Sequence, residues 1–217
     1  MSTDLDEYRA PSGAAGSRDK VLLVSPPLEL SFVTSADRLD KLPESPAEVA
    51  VVGRSNVGKS SLINALAKRH GLANTSNTPG RTQLLNCFAL PDGTMVVDCP
   101  GYGYARASKV QRASMSAMIE RYLRDRDELA MVMLLIDGEV GPTPLDRSML
   151  EWLREEGLHH QVIATKHDKV KAAQRDTRKR QLAAACDLEP GDVVWVSAAR
   201  NVGIDRLRDL VRLWLSA

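Results

Sequence analysis

The sequence predicts an α/β domain of three layers: a mostly parallel sheet with one antiparallel strand from a hairpin, and helices on both faces. Short runs rich in Val, Ile and Leu alternate with helical segments from Val21 onward, the pattern of strands that cross over to a parallel neighbour. Two of those runs, residues 84–90 and 94–98, are separated only by the tight turn Pro91-Asp92-Gly93, which makes them antiparallel. A length of 217 residues suits one such domain around one core.

Residues 1–20 are rich in Ser, Ala, Gly and charge, lack apolar periodicity, and are expected to form a disordered tail, leaving 21–217 as the domain. A first strand is expected near 28–33. The others are 49–52, 84–90, 94–98, 131–137, 162–165 and 193–196. The first helix should open at Lys59 and stop at Gly71, a residue suited to a left-handed cap. Beyond the strand ending at Asp137, Thr143 is placed as an N-cap, with Pro144 at the first helical position and Asp146 in the first turn. Leu145, Met149, Trp152 and Leu153 follow as its apolar face. Ile204, Leu207, Leu210, Val211 and Trp214 line the last helix, and both stripes read as core.

Lys and Arg number 29 against 28 Asp and Glu, so net charge singles out neither nucleic acid nor membrane. Its distribution is more telling. Residues 49–91 contain no acid, while Arg54, Lys59, Lys68, Arg69 and Arg81 fall there, which suits a surface that holds an anion; chance clustering on a solvated helix explains Lys68 and Arg69 as well. Cys87, Cys99 and Cys186 have no metal-ligand spacing and read as reduced thiols; the His159-His160 pair reads as a solvated loop. No run approaches the roughly 18 apolar residues of a membrane span, and the first 20 residues do not resemble a secretory signal. A cytoplasmic monomer with no membrane partner is expected.

Four elements carry chemistry. Gly53-Arg54-Ser55-Asn56-Val57-Gly58-Lys59-Ser60 fits GxxxxGKS/T between an apolar strand and a helix, where backbone N–H groups curl around phosphate and the helix dipole adds to them. Lys59 should reach the β- and γ-phosphates and Ser60 should bind Mg²⁺. Asp98-Cys99-Pro100-Gly101 is a DxxG ending a strand: Asp98 would hold Mg²⁺ through a water, and the Gly101 N–H would sense the γ-phosphate. Thr165-Lys166-His167-Asp168 chooses the base. The Asp168 carboxylate can accept from guanine N1–H and the N2 amine, whereas adenine would leave it unsatisfied, a discrimination of roughly 10⁴ or more. The Lys166 stem would cover one face of the base. Ser197-Ala198-Ala199 would supply N–H groups to guanine O6. Between the first two elements, Asn77-Thr78-Pro79-Gly80-Arg81-Thr82 marks a loop that orders around γ-phosphate; Thr82 would add a second Mg²⁺ ligand.

With GRSNVGKSSLINAL, TPGRTQLLN, DCPGYGYA, TKHDK and SAARNVGIDRLRDLV in one order, the chain resembles the EngB (YihA/YsxC) family of ribosome-biogenesis GTP-binding proteins, within the P-loop GTPases, from about Leu28 to the C-terminus. The resemblance implies a role in large ribosomal subunit assembly, and in normal cell division and septation. It implies Mg²⁺ at Ser60 and Thr82, and nucleotide at 53–60, at Gly80, Arg81, Thr82, Gln83 and Leu84, and at 98–101, 165–168 and 197–199. The catalytic set it suggests is Lys59, Thr82 and Gly101. Three positions depart from the family pattern: Cys99 where Leu or Met is usual, Met115 where Trp is expected, and Gly138-Glu139 where an Arg is expected. These put partner contacts in doubt rather than nucleotide binding.

Position 102 is Tyr, not the Gln that orients attacking water in many small GTPases, so slow GTP hydrolysis is expected, completed by a ribosomal partner or by K⁺ near Asn56. A GTP-sensing module acting by occupancy is the rival expectation, and a P-loop ATPase or kinase is disfavoured by TKHD. A basic run, Lys166, Lys169, Lys171, Arg175, Arg178, Lys179 and Arg180, could meet rRNA phosphates of a large-subunit precursor or form a solvated helix face.

Overall fold

A strand with every residue buried belongs in the middle of a sheet covered on both faces, and Glu48–Gly53 is such a strand. The computed structural model describes residues 25–73, 84–103 and 109–216. It places seven strands in one sheet: β1 (Ser31–Ala36), β2 (Glu48–Gly53), β3 (Leu85–Ala89), β4 (Met95–Asp98), β5 (Leu129–Asp137), β6 (His160–Thr165) and β7 (Val194–Trp195). Their order is β1-β3-β4-β2-β5-β6-β7. Among them β3 alone runs against its neighbours, β1 and β4. The pairs β2–β4, β2–β5, β5–β6 and β6–β7 are parallel. The fold class is the one the sequence predicts.

Strand periodicity divides the core in two. Val49 and Val51 of β2, with Met133 and Leu135 of β5, pack on Leu62 and Leu66 of α1 (Lys59–Ala67) and on Leu207 and Val211 of α5 (Ile204–Leu215). The alternate residues Ala50, Val52, Val132, Leu134 and Ile136 pack on the other face. There they meet Ile119 and Tyr122 of α2 (Lys109–Asp125), Leu150 and Leu153 of α3 (Pro144–Glu155), and Leu182 of α4 (Arg175–Ala184). At the edge where β2 begins, buried Glu48 accepts from the Tyr122 hydroxyl at 2.8 Å and from Arg126 at 2.7 Å, pinning the end of α2 to the sheet.

Several boundaries differ from expectation, each for a local reason. The expected tail lies outside the described residues. The first strand starts at Ser31, because Leu28 donates its N–H to Leu66 of α1 and the ladder with β3 begins at the pair Ser31 and Ala89. Leu84 lies exposed before β3, and β7 is two residues long because it faces only Ile163 and Ala164 of β6. Helix α1 stops at Ala67 rather than Gly71. Lys68 turns left-handed at φ 51°, and the Arg69 N–H reaches back to the Asn64 carbonyl at 3.0 Å.

The next carbonyls of α1 are taken by a side chain from α5. Arg208, 2% exposed, donates to Ala65 O at 2.7 Å, to Leu66 O at 2.9 Å and to Ser25 O at 3.1 Å. A guanidinium fits because three carbonyls need a planar, multi-pronged donor and Asp205 at 2.7 Å balances the charge. The first turn of α3 is also rotated from expectation, although Met149, Trp152 and Leu153 pack on the core as expected. Leu145 is 52% exposed, whereas Leu150, Leu153 and Asp146 are buried. The rotation follows from the capping box, in which the Thr143 N–H donates to Asp146 Oδ2 at 2.8 Å and turns that residue inward.

Arg208→Ala should destabilise the fold by about 3 kcal/mol, since it removes three charge-assisted hydrogen bonds at once, although Ala65 O and Leu66 O each keep a backbone N–H donor. Urea unfolding with circular dichroism measures it. A loss under about 0.5 kcal/mol would mean that the clamp is a surface-grade contact.

Candidate nucleotide site

In a parallel sheet, loops leaving the carboxyl ends of neighbouring strands form a crevice. Here β2 runs into 53–60, β4 into 98–101, β6 into 165–168 and β7 into 197–199, so all four described elements gather at one edge. Gly80, Arg81, Thr82 and Gln83 lie outside the described residues.

The phosphate-type loop is shaped by close approach and by left-handed backbone. A Cβ on Gly53 would come within 2.8 Å of the Leu135 carbonyl of β5, so only glycine lets the loop leave the sheet there. Asn56 (φ 64°) and Gly58 (φ 110°) turn the chain so that α1 starts at Lys59 with its N-terminal N–H groups open toward the crevice. Val57 is buried, Ser55 and Ser60 are half-buried, and Asn56 is exposed. The Lys59 ammonium, 8% exposed, donates to Gly53 O at 3.2 Å and Arg54 O at 3.3 Å; its burial lowers its pKa, and Asp98 opposes that shift.

Asp98, Cys99, Pro100 and Gly101 are all buried against this loop. Cys99 donates its N–H to Val51 O at 3.1 Å and is fully enclosed, a small apolar residue in an apolar slot. Gly101 lies on Ser55, where a Cβ would come within 2.9 Å of backbone, and Ser55 donates from N to Tyr102 O at 3.0 Å. Ser60 Oγ donates to Asp98 Oδ2 at 3.3 Å, while Asp98 Oδ1 is buried without a partner among the described residues. Burial raises the Asp98 pKa to about 6 against the pull of Lys59 and Ser60. An orphaned carboxylate oxygen beside a serine hydroxyl, at a helix N-terminus, fits a hard cation such as Mg²⁺ or its bound water. Among the described residues no cluster of three His, Cys, Asp or Glu offers an alternative metal site.

The segments 165–168 and 197–199 are tied to the loop and to each other. Thr165 Oγ1, buried at the end of β6, donates its proton to Val57 O at 2.7 Å and lies 3.2 Å from Ile136 O. Lys166 turns left-handed (φ 55°), and its ammonium meets the buried Asp137 carboxylate at 2.7 Å, which fixes the side chain against the end of β5. The His167 N–H donates to Val196 O at 3.0 Å, and its ring meets Trp195 edge-on at 5.7 Å. Burial, then Arg175 and Lys179, lower the His167 pKa, so the ring is neutral at neutral pH. Asp168 Oδ1 accepts from the Ser197 hydroxyl at 2.5 Å, which lowers the Asp168 pKa and keeps it ionised. Ser197 Oγ in turn accepts the Arg200 N–H at 3.1 Å, folding Ala198 and Ala199 into the following turn.

One reading of exposed chemistry changes. Three members of the basic run are engaged within the protein: Lys166 with Asp137, Arg175 through Nε with Val170 O at 3.3 Å, and Arg178 with Gly138 O at 2.9 Å. That run is therefore partly a structural device, and Arg178 caps the Gly138-Glu139 turn. Sequence reasoning missed Asp146 and Asp137 as parts of the site's support. Their signal was weak: each is an acid just beside a recognised element.

Residues 48–166 match the family described as 50S ribosome-binding GTPase. The chain is 40% identical over 186 residues to a probable GTP-binding protein EngB of Thiobacillus denitrificans, covering 85% of this chain and 90% of that one. It is 50% identical over 140 residues to that of Clostridium perfringens, covering 64% and 71%. The crystal structure of a probable GTP-binding protein EngB superposes with a TM-score of 0.66 at 23% identity, over 78% of this chain and 99% of that chain. The Era protein of Aquifex aeolicus, solved as a variant bound to GDP·AlF4⁻, shares the fold with a TM-score of 0.57 at 24% identity, over 80% and 57%.

The raised Asp98 pKa predicts a pH signature. Its folded value, about 6, exceeds the unfolded 3.8, so stability is fully present below pH 3.8 and is lost as pH rises through 6. Asp98→Asn should therefore stabilise the nucleotide-free protein by ~2 kcal/mol at pH 8 and much less at pH 4.5. Urea unfolding at both pH values measures it; equal effects at both would contradict the assignment.

Proposed function

The chain belongs to the EngB family of GTP-binding proteins within the P-loop GTPases, and from that premise we propose a slow GTP-hydrolysing switch that acts in large ribosomal subunit assembly and is needed for normal cell division and septation. The observation that carries the nucleotide part is the Ser197–Asp168 bond. It fixes an ionised carboxylate as an acceptor for guanine N1–H and N2, at the same sheet edge as the phosphate-type loop. Lys59, Thr82 and Gly101 are the proposed catalytic set, and nucleotide contacts are assigned to 53–60, 80–84, 98–101, 165–168 and 197–199.

Mg²⁺ would be held by Ser60 and Thr82, with Asp98 acting through a water, and would draw charge from the γ-phosphate as the bond to it breaks. Lys59 would then exchange its two loop carbonyls for phosphate oxygens. Slow turnover is supported by Tyr102, which stands where many small GTPases carry a Gln and whose hydroxyl is bonded to Asp146 at 2.8 Å. K⁺ near Asn56 or a ribosomal particle would supply the missing acceleration. The ribosomal role rests on the EngB relatives and on a family described as 50S ribosome-binding. A cytoplasmic, monomeric protein fits; among the described residues no helix is long and apolar enough to cross a membrane. Tyr102 also favours a second reading, a GTP-sensing module that acts on ribosomal particles by occupancy, with hydrolysis incidental.

Co-sedimentation with ribosomal subunits, with GDP or a non-hydrolysable GTP analogue, tests the role. Binding to large-subunit particles at least about tenfold tighter with the analogue is expected. Equal sedimentation with both nucleotides, or none with either, would overturn the switch. GTP turnover in K⁺ against Na⁺, with and without particles, reports the acceleration.

A further inference from the structure

Tyr102 follows the γ-phosphate-sensing Gly101, yet its side chain is buried and bonded to the first turn of α3 rather than facing the crevice. Its acceptor, Asp146, is 1% exposed. Asp146 Oδ2 takes the Thr143 N–H and hydroxyl at 2.8 and 2.7 Å. The same oxygen lies 3.6 Å from Arg54 Nε, a buried donor with no hydrogen-bond partner among the described residues. One carboxylate thus meets the phosphate-type loop, the phosphate-sensing segment and the cap of α3.

The backbone around it is zipped. Ser55 donates from N to Tyr102 O at 3.0 Å and from Oγ to Gly101 O at 3.2 Å. Gly103 (φ 72°) lies so close to Leu145 of α3 that a Cβ would come within 3.0 Å of its Cδ1. Residues 101–103 are therefore held by the phosphate-type loop on one side and by α3 on the other. Capping needs only one oxygen of Asp146, and a buried carboxylate costs more than a buried amide. The retained charge and the second oxygen are accounted for by Arg54 and Tyr102.

We propose that Asp146 is a positioning residue that latches Tyr102 and Arg54 in this zipped state, against which engagement of Gly101 by a γ-phosphate has to compete. The proposal rests on the reading that the site takes a guanine nucleotide with its γ-phosphate at Gly101. It makes Asp146 the residue through which the nucleotide state reaches the start of α3, and it makes GDP the nucleotide compatible with the latched form.

The test compares Kd values for GDP and for a non-hydrolysable GTP analogue, both with Mg²⁺, in the unaltered full chain, Tyr102→Phe, Asp146→Asn and the double variant. Phe keeps the ring packing, and Asn keeps an acceptor for the Thr143 cap. Each single change should tighten the analogue relative to GDP by about three- to tenfold, and the double variant should gain no more than the larger single one, because both weaken the Tyr102–Asp146 contact and Asp146→Asn the Arg54 pair as well. An unchanged ratio in both singles, even with a lowered melting temperature, would reduce Asp146 to a structural cap and overturn the proposal; so would fully additive effects. If Asp146→Asn does not fold, Tyr102→Phe decides alone. Failure of the unaltered chain to bind either nucleotide would overturn the nucleotide reading as well, a result distinct from binding with an unchanged ratio.

Discussion

The hydrogen bond from Thr165 Oγ1 to the Val57 carbonyl is the contact on which the rest of the site depends. A loop that points its N–H groups inward at an anion turns carbonyls outward into protein, where each needs a donor. Thr165 gives its one hydroxyl proton to Val57 and lies 3.2 Å from the Ile136 carbonyl of β5, so the loops after β2 and β6 are fixed to one another beside β5 in a buried place. The spacing between the proposed phosphate cradle and the proposed base pocket is set by that junction. His167 and Ser197 then carry the same constraint to the loop after β7.

The two edges of the sheet handle charge in opposite ways. Where β2 begins, Glu48 is enclosed by Tyr122 and Arg126, and every strong partner is present. Where β2 ends, Asp98 keeps one oxygen orphaned, and Lys59 makes do with carbonyls at 3.2 and 3.3 Å. A satisfied buried network stiffens a fold, whereas an unsatisfied one stores free energy that a ligand can release. The stiff end anchors α2. The frustrated end is where Mg²⁺ and phosphate would bring both groups their missing partners.

Much of the fold was legible because its signals are local. Apolar runs of four to seven residues, a Pro-Asp-Gly turn and a Thr-Pro start depend on neighbours in sequence, whereas the strand order is seen only in the structure. The four elements were legible for the same reason, since backbone cradles are written in consecutive residues. What escaped was long-range. Arg208 ends α1 from 142 residues away, and nothing near Gly71 reveals it. Asp146 faces inward and Leu145 outward because a capping box sets the rotation of α3, whereas hydropathy assigns them the other way round. Charged residues read as exposed by default, so Arg208, Asp137 and Asp146 were invisible as buried supports. Arg178 and Lys166 read as part of a surface stripe for the same reason.

The central claim is that Asp168, held ionised by Ser197, reads guanine at a site whose phosphate cradle is fixed to the same sheet edge. Asp168→Asn tests it most directly. An amide in place of the carboxylate offers a donor where guanine also donates, and it complements the extra carbonyl of xanthine. Competition of GTP and XTP against a fluorescent guanine diphosphate should show the unaltered chain preferring GTP, and the variant losing roughly 10²-fold or more for GTP while gaining XTP binding. A variant that keeps its preference for GTP would contradict the account.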